Sequence, residues 1–383
     1  MIMKIIRYSK ISRLISVVIL SICPVFVASA FAQEHAYFID LKSRKVTELG
    51  TLGGHNSKAS GINDAGQVVG YSETADGQYH AFITGPNGVG MTDIGPPGGG
   101  FSWATGINKT GQVVGWSGNG ADGTHSFITG PNGTGMTDLS TLSGYYTSGI
   151  GINATGQVAG LSSTALGSAH AFITGPNGAG ITDLGTEGMG YSLANGINAA
   201  GQVIGTLGSI SSGPSYAFIT GPNGVGMTSP LGTLGGGSSW ATGINDAGQV
   251  VGYSETADGQ YHAFITGPNG VGMTSLDTLG RGSSWAAGIN DAGQVVGYFE
   301  TADDQHHAFI TGPNGLGMTD LNSLVALPPG AVLSEAIAIN NTGQVIAYSY
   351  IQGIPMVPEP QSYALMLAGL ILTVTMVRRK QKG

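Results

Sequence analysis

The feature that most constrains this chain is a repeat of about 45 residues. The segment Gly/Ala-Ile-Asn-x-x-Gly-Gln-Val recurs at intervals of 45 to 50 residues, starting at Gly61, Gly106, Gly151, Gly196, Gly243, Gly288 and Ala338. A second signature, His-Ala-Phe-Ile-Thr-Gly-Pro-Asn-Gly, starts at His80, His170, His262 and His307, with variants at His125 and Tyr216. A regular period of this length indicates an architecture in which each unit buries its apolar surface against its neighbours.

Each unit contains four short segments typical of β-strands, separated by turns. In one copy the strand segments are 81–84, 91–94, 103–107 and 112–116. The turns, 85–88 and 108–111, are rich in Asn and Gly, which tolerate the positive φ angles that tight hairpin turns need. We expect Gly111 to adopt a positive φ in a β-bulge. No stretch of 33–351 shows sustained helical periodicity.

Adjacent apolar pairs predict sheets that are covered on both faces. Val68-Val69, Val250-Val251 and Val295-Val296 break the alternation expected of a strand with one exposed face. Four-stranded sheets that stack face to face about an axis satisfy this pattern. We therefore predict an all-β fold: a seven-bladed β-propeller of four-stranded antiparallel sheets over 33–351. An open β-solenoid with two coils per unit is the alternative.

The N-terminal segment, 1–32, has the layout of a secretory signal peptide. Lys4, Arg7, Lys10 and Arg13 precede an apolar run, 14–27. Small residues at Ala30 and Ala32 then offer cleavage sites, of which Ala32 is favoured. An uncleaved anchor helix is the alternative, although the run is short for a bilayer. The sole cysteine, Cys23, lies in this segment, so the exported chain would carry no thiol.

The C-terminal segment combines a turn motif, an apolar run and a basic end. A linker, 352–362, contains Val357-Pro358-Glu359-Pro360, and 363–383 contains an apolar stretch followed by Arg378-Arg379-Lys380. The sequence predicts a short transmembrane helix with its positive end in the cytoplasm. An ordinary C-terminal membrane anchor is the alternative.

The charge of the segment between these ends is strongly acidic. Of the 14 basic residues of the chain only 6 lie within 33–357, against 21 of the 22 acidic residues, so the net charge there is near −15. Such a surface repels nucleic acid and anionic lipid. No nucleic-acid partner is therefore expected.

Both sets of motifs resemble known families. The His-Ala-Phe signature, followed by Met-Thr-Asp-Leu/Ile, Gly-Ile-Asn and Gly-Gln-Val-Val-Gly, resembles the HAF-repeat family of extracellular bacterial proteins over about 35–351. The tail resembles the PEP-CTERM sorting signal of Gram-negative bacteria. The resemblance implies export, processing by signal peptidase and exosortase, transient anchoring by the C-terminal helix and a final place at the cell surface or outside the cell. The HAF-repeat family has no firmly assigned activity.

The recurring polar residues are expected to be structural. A single His per unit does not provide the converging ligands of a metal site, so we expect it to bond a turn or a neighbouring blade. The Asn of each Gly-Ile-Asn is expected to close a turn. Calcium is considered at the Ala-Asp-Gly loops but not favoured, because each loop offers one or two carboxylates; these are Asp76, Asp122, Asp258 and Asp303 with Asp304.

The remaining candidates concern sugars. Trp103, Trp240 and Trp285 share one repeat position and could stack on a glycan if exposed, or pack between blades if buried. We find no catalytic residues, cofactor site or metal site in the sequence. It therefore favours a non-enzymatic scaffold or binding module for extracellular polysaccharide or a surface protein. The alternative is a polysaccharide hydrolase or lyase built on the same propeller.

Overall fold

The computed structural model describes residues 35–96, 100–118, 124–209, 213–228, 230–276, 278–280 and 282–351. The predicted signal segment, 1–32, and the predicted linker and helix, 352–383, lie outside these residues. Over the described residues the chain forms strands and short 3₁₀ turns. No helix among them is long and apolar enough to cross a membrane.

The strands are short and follow one another through tight turns. The first ten, in chain order, are β1 (His35–Asp40), β2 (Lys45–Glu48), β3 (Gly53–Ile62), β4 (Val68–Thr74), β5 (Tyr79–Thr84), β6 (Met91–Asp93), β7 (Phe101–Ile107), β8 (Val113–Gly118), β9 (Thr124–Thr129) and β10 (Met136–Asp138). The next eight are β11 (Ser143–Ile152), β12 (Val158–Thr164), β13 (Ala169–Ile173), β14 (Thr182–Gly185), β15 (Tyr191–Ile197), β16 (Val203–Gly208), β17 (Tyr216–Thr220) and β18 (Met227–Thr228). The last ten are β19 (Gly235–Ile244), β20 (Val250–Thr256), β21 (Tyr261–Thr266), β22 (Met273–Ser275), β23 (Ser284–Ile289), β24 (Val295–Glu300), β25 (His306–Thr311), β26 (Met318–Asp320), β27 (Ala331–Ile339) and β28 (Gln344–Ile351).

These strands form seven four-stranded antiparallel sheets. Blades one to six each use four consecutive strands, from β3–β6 to β23–β26, and the first strand of each blade is innermost. The seventh blade has the order β2-β1-β28-β27, so it joins two strands from each end of the described chain. The innermost strand β27 contacts β3 of blade one, which closes the ring. The fold is a seven-bladed β-propeller, as predicted, and the open solenoid is excluded.

The blades do not coincide with units counted from the His-Ala-Phe signature. Each such unit supplies the two outer strands of one blade and the two inner strands of the next. The reason is that the signature lies on the third strand of a blade, counted from the innermost one. Blade seven is therefore closed by a seam, where β1 pairs with β28 from His35↔Ser349 to Asp40↔Gln344. Both ends of the described chain consequently leave the same blade side by side.

Adjacent apolar residues face opposite neighbours, as the sequence predicted. Val68 packs with Ala36, Phe38 and Ile346 of blade seven, whereas Val69 packs with Val113 and Phe127 of blade two. The phenylalanine of each signature, the two variants included, is fully buried between blades, namely Phe82, Phe127, Phe172, Phe218, Phe264 and Phe309. Burying such a side chain contributes about 1.5–3 kcal/mol, so these contacts are a main source of cohesion between the blades.

A glycine follows each valine pair because no side chain fits there. A Cβ on Gly115 would collide with the carbonyl oxygen of Trp103 and lie 2.9 Å from both Ala104 Cα and Phe127 Cζ.

The predicted turn glycine, Gly111, has φ +77°, and its N–H donates to the Asn108 carbonyl at 3.0 Å. Asn108 N–H in turn donates to Gln112 O at 3.0 Å, which is the pattern of a type I turn followed by a bulge.

Candidate functional site

The wall of the central channel is built from the seven Asn residues at the ends of the innermost strands. Asn63 Oδ1 accepts from the backbone N–H groups of Ala65 and Gln67 at 3.1 and 3.0 Å, which closes the turn as predicted. Its Nδ2 donates to Gln67 Oε1 at 2.9 Å and to the carbonyl of Asn108, in the next blade, at 3.1 Å. This second bond was not predicted from the sequence.

The same inter-blade bond occurs at every boundary. Each Asn donates from Nδ2 to the backbone carbonyl of the next Asn around the ring, at 2.9 to 3.2 Å, through Asn63, Asn108, Asn153, Asn198, Asn245, Asn290 and Asn340. All seven residues are buried. The amide donors and the carbonyl acceptors at the centre of the channel are therefore satisfied by one another.

The Gln of Gly-Gln-Val forms a second connection between blades. Its Nε2 donates to the side-chain oxygen of the Pro-Asn-Gly asparagine one blade further on, as from Gln67 to Asn132 at 3.2 Å. That asparagine has φ +54°, which the following glycine turn requires. Five further boundaries show the same bond at 3.0 to 3.5 Å, donated by Gln112, Gln157, Gln202, Gln249 and Gln344.

The residues after the seven Asn surround a channel mouth of about 250 Å³. They are Asp64, Lys109, Ala154, Ala199, Asp246, Asp291 and Asn341. Asn341 Nδ2 donates to Asp291 Oδ2 at 2.7 Å and to Asp64 Oδ2 at 3.1 Å, which holds three neighbouring residues in an arc. Asp246 extends the arc, because its N–H donates to Asp291 Oδ1 at 3.0 Å. One half of the mouth is consequently acidic.

The recurring histidines bond within a blade. His80, His170 and His307 each place Nδ1 2.8 Å from a carboxylate of the outermost strand, on Asp93, Asp183 and Asp320 respectively. His262 instead faces the hydroxyl of Ser275 at 3.4 Å. The expected partner, a turn or a neighbouring blade, is therefore wrong for these copies, because the bond joins the two outer strands of one blade. Within the described ranges no three His, Asp or Glu side chains converge as metal ligands.

The Ala-Asp-Gly loops are ordered by threonines of the same turn. The Thr74 hydroxyl donates to Asp76, the Thr256 hydroxyl donates to Asp258, and the Thr301 hydroxyl donates to Asp303 at 2.6 Å. These hydrogen bonds lower the pKa of each carboxyl group below its ordinary value of 3.8. Asp122, the fourth candidate, lies outside the described residues. Solvated loops without calcium stay the favoured prediction.

The three candidate tryptophans are half-buried in aromatic stacks. Trp103 stacks on Trp116 at 4.1 Å between ring centroids and meets Phe101 at 5.1 Å and Tyr71 at 5.5 Å edge-on. In other blades Trp240 stacks on Tyr253 at 5.0 Å and Trp285 on Tyr298 at 4.9 Å. Each stack pairs an innermost strand with its neighbour, so one face of each indole is covered.

The environment of these stacks is largely apolar. Burial, followed by the negative charge of Glu335, raises the pKa of Tyr298 to about 12, and burial also raises the pKa of Tyr253. A glycan contact at Trp103, Trp240 or Trp285 stays a prediction; Trp103 also stacks on Tyr79 of blade one, at 6.4 Å between ring centroids.

A larger cavity lies at the outer edge of blade six. It measures about 760 Å³, and its lining includes Asp303, His307 and Asp320 together with Phe299 and Met318. The His307–Asp320 pair recurs in two other blades, which identifies it as part of the repeat. Sequence reasoning missed this cavity because all its polar residues stand at repeated positions.

Comparisons with solved structures agree on the fold. A prolyl endopeptidase structure aligns with TM-score 0.53 and 11% identity, covering 73% of this chain and 44% of that one. A puromycin hydrolase aligns with TM-score 0.51 and 13% identity, covering 76% and 50%. TolB from Agrobacterium tumefaciens aligns with TM-score 0.48 and 11% identity, covering 85% and 99%. The chain spans about half the length of the two hydrolases, and at 11% and 13% identity those two matches show the fold alone. No family model and no curated protein matches the sequence.

Proposed function

We propose that this chain is an exported, non-enzymatic propeller that acts as a scaffold or binding module at the cell surface or in the extracellular matrix. The main observation behind the proposal is that the recurring polar residues form hydrogen bonds within the propeller. Asn and Gln join neighbouring blades, and His and Asp join strands within blades. Groups engaged in this way hold neighbouring blades and neighbouring strands together.

Export and a link to exopolysaccharide are supported by the ends of the sequence and by its charge. A cleavage after Ala32 would leave two residues before β1, which starts at His35 and seals the seventh blade. Removal of a signal segment is thus compatible with a closed ring. The acidic surface suits a solvated extracellular protein and disfavours contact with nucleic acid.

Fractionation tests this proposal. The protein is tracked by size and location in strains with and without the sorting protease. We expect a shorter species at the surface or in the medium of the first strain, and a longer, membrane-bound species in the second. The same size and location in both strains would contradict processing at Val357-Pro358-Glu359-Pro360.

The outer cavity of blade six favours the alternative function, a polysaccharide hydrolase or lyase. Two carboxyl groups, on Asp303 and Asp320, line one cavity with His307. Paired carboxyl groups are the usual machinery of glycoside hydrolysis. The alternative predicts release of reducing ends from matrix polysaccharide and its loss in D303N and D320N variants. Our proposal predicts no release by the wild-type protein.

A further inference from the structure

Blade three differs from blades one and five at the end where strands β12 and β13 are joined. Tyr145 and Leu166 are 96% and 95% exposed there, and Tyr146 is 38% exposed. The two tyrosines lie near the start of β11, and Leu166 lies in the turn after β12. The pairing Ser143↔Thr164 brings both segments to the same end of the sheet. We call these three residues the tyrosine patch.

The equivalent surfaces of blades one and five are polar and acidic. Blade one has His55 and Asn56 in place of the tyrosines, and blade five has Gly237 and Ser238. A glutamate holds each of these segments: Glu73 accepts from His55 N–H at 3.0 Å, and Glu255 accepts from Gly237 N–H at 2.9 Å.

Blade three has lost both carboxylates at this end. Ser163 stands where blades one and five have Glu73 and Glu255, and its hydroxyl accepts from Tyr146 N–H at 3.0 Å. Leu166 stands where blades one and five have Asp76 and Asp258. Two negative charges have therefore been replaced by a hydroxyl and an apolar side chain, while two aromatic rings have been added.

Relative to blades one and five, four differences fall at this end of blade three. Blades two and four share two of them, since Phe101 and Tyr191 hold the position of Tyr146 and Gly118 and Gly208 that of the glutamate. The exposed Tyr145, in contrast, has no Phe, Tyr or Trp counterpart in blades one, two, four, five or six.

We propose that the tyrosine patch is a binding site for a neutral polysaccharide, an inference that rests on the proposed binding function. The apolar C–H faces of pyranose rings pack on exposed aromatic rings, and Leu166 extends the surface. A strongly acidic protein repels a polyanion, and the patch itself contributes no cation to attract one. Neutral sugar rings avoid that repulsion and meet no carboxylate that would lose its hydration here.

The size of the patch favours a sugar chain over a protein. A large aromatic side chain buries about 150–250 Å² when covered, so three side chains offer roughly 600 Å² at most. A specific protein interface needs about 800 Å² on each partner. A second copy of this chain, docked on the patch alone, would fall short of that area.

Affinity electrophoresis of the purified protein through gels containing one polysaccharide tests the proposal. The probes are mixed-linkage β-glucan, dextran, alginate as a polyanion, and polysaccharide extracted from the producing cells. We expect a neutral polymer to retard the wild-type protein. The Y145A/Y146A variant should raise the dissociation constant at least tenfold, and L166D, which restores the acid of blade one, should raise it severalfold. L316D, at a leucine that is 72% exposed in blade six, is the matched control and should bind like wild type.

Each other outcome is decisive. Equal binding of a neutral polymer by wild type and Y145A/Y146A overturns the patch as the site and leaves the proposed function standing. Retardation by alginate alone overturns the neutral ligand. A dimer that Y145A/Y146A converts to monomers, measured by light scattering, identifies a self-interface instead. Failure of all four probes, including the native matrix, overturns both this inference and the polysaccharide branch of the proposed function.

Discussion

Asn340 donates from Nδ2 to the backbone carbonyl of Asn63, 2.9 Å away in space and 277 positions earlier in the chain. This bond completes the ring of seven amides at the seam between blades seven and one. The same amide donates to Gln344 Oε1 at 2.7 Å, so both of its hydrogens are used. Local turn closure and global ring closure therefore depend on one side chain.

Replacement of Asn340 by Asp should destabilise the closed ring. The carboxylate still accepts from Thr342 and Gln344 N–H, but it donates nothing and faces two acceptors. Leaving buried acceptors unpaired costs about 1–3 kcal/mol each, so we expect a loss of at least about 2 kcal/mol in denaturant unfolding. L316A, at an exposed site, should stay within about 0.5 kcal/mol of wild type. Wild-type stability of N340D would show that the ring of amides contributes little.

Gly115→Ala should be among the most damaging small substitutions. The added methyl group would meet the Trp103 carbonyl and lie 2.9 Å from Ala104 Cα, so the two strands must separate. Overpacking of a buried site costs about 1–3 kcal/mol or more, and we expect a lower melting temperature in calorimetry. Gly61→Ala is the matched control, because its nearest neighbours would be 3.6 Å away. Similar losses in both variants would contradict the steric explanation.

The threonines of the exposed loops should affect stability in a pH-dependent way. The Thr256 hydroxyl holds the pKa of Asp258 below 3.8, so the folded state favours the ionised carboxyl group more than the unfolded state does. That stabilisation is present above the unfolded pKa and is lost as pH falls through the folded pKa. We therefore expect T256V to be less stable than wild type at pH 7, and the difference to shrink in acid. NMR titration should show a higher pKa for Asp258 in the variant; an unchanged pKa would exclude the hydroxyl as the cause.

A circular permutant should fold, whereas a deletion of β1 and β2 should not. His35 pairs with Ser349, so a short turn can join Ile351 to His35. New ends opened between Glu48 and Gly53 would make blade seven continuous. We expect the permutant to give the circular dichroism spectrum and melting temperature of the parent. The deletion of 35–48 exposes the edge of β28 and should yield insoluble protein. A soluble, cooperatively unfolding deletion variant would show that the seam is dispensable.

The sequence predicted those features that recur in every unit. The Val68-Val69 pair indicated burial on both faces, and the structure places the two side chains against different blades. Asn87 and Gly111 indicated turns with positive φ, which the structure confirms. Each of these properties is set by residues close together in the chain, and the pattern can be recognised because it recurs from unit to unit.

Other features depend on distances between copies and could not be predicted. Nothing in Asn63 reveals that its amide reaches the carbonyl of Asn108, because that contact depends on how two blades pack. The boundaries of the sequence units and of the blades differ by two strands. This offset depends on which strand is innermost, and the repeat alone does not show where a blade begins. Tyr145 is conspicuous only once its exposure and the missing acid at Leu166 are seen on one surface.

The position of the seam in blade seven also affects how the number of blades can change. Residues 61–92 and 243–274 are identical, so a crossover between the segments that encode them would leave the protein sequence at the junction unchanged. Because the seam lies outside both stretches, such a crossover adds or removes four whole blades without disturbing β1, β2, β27 or β28. Loss would leave three blades, fewer than the four to eight that propellers use, and gain would leave eleven. A product of either crossover would therefore be unable to close the usual ring, so the need to close the ring preserves the number of blades.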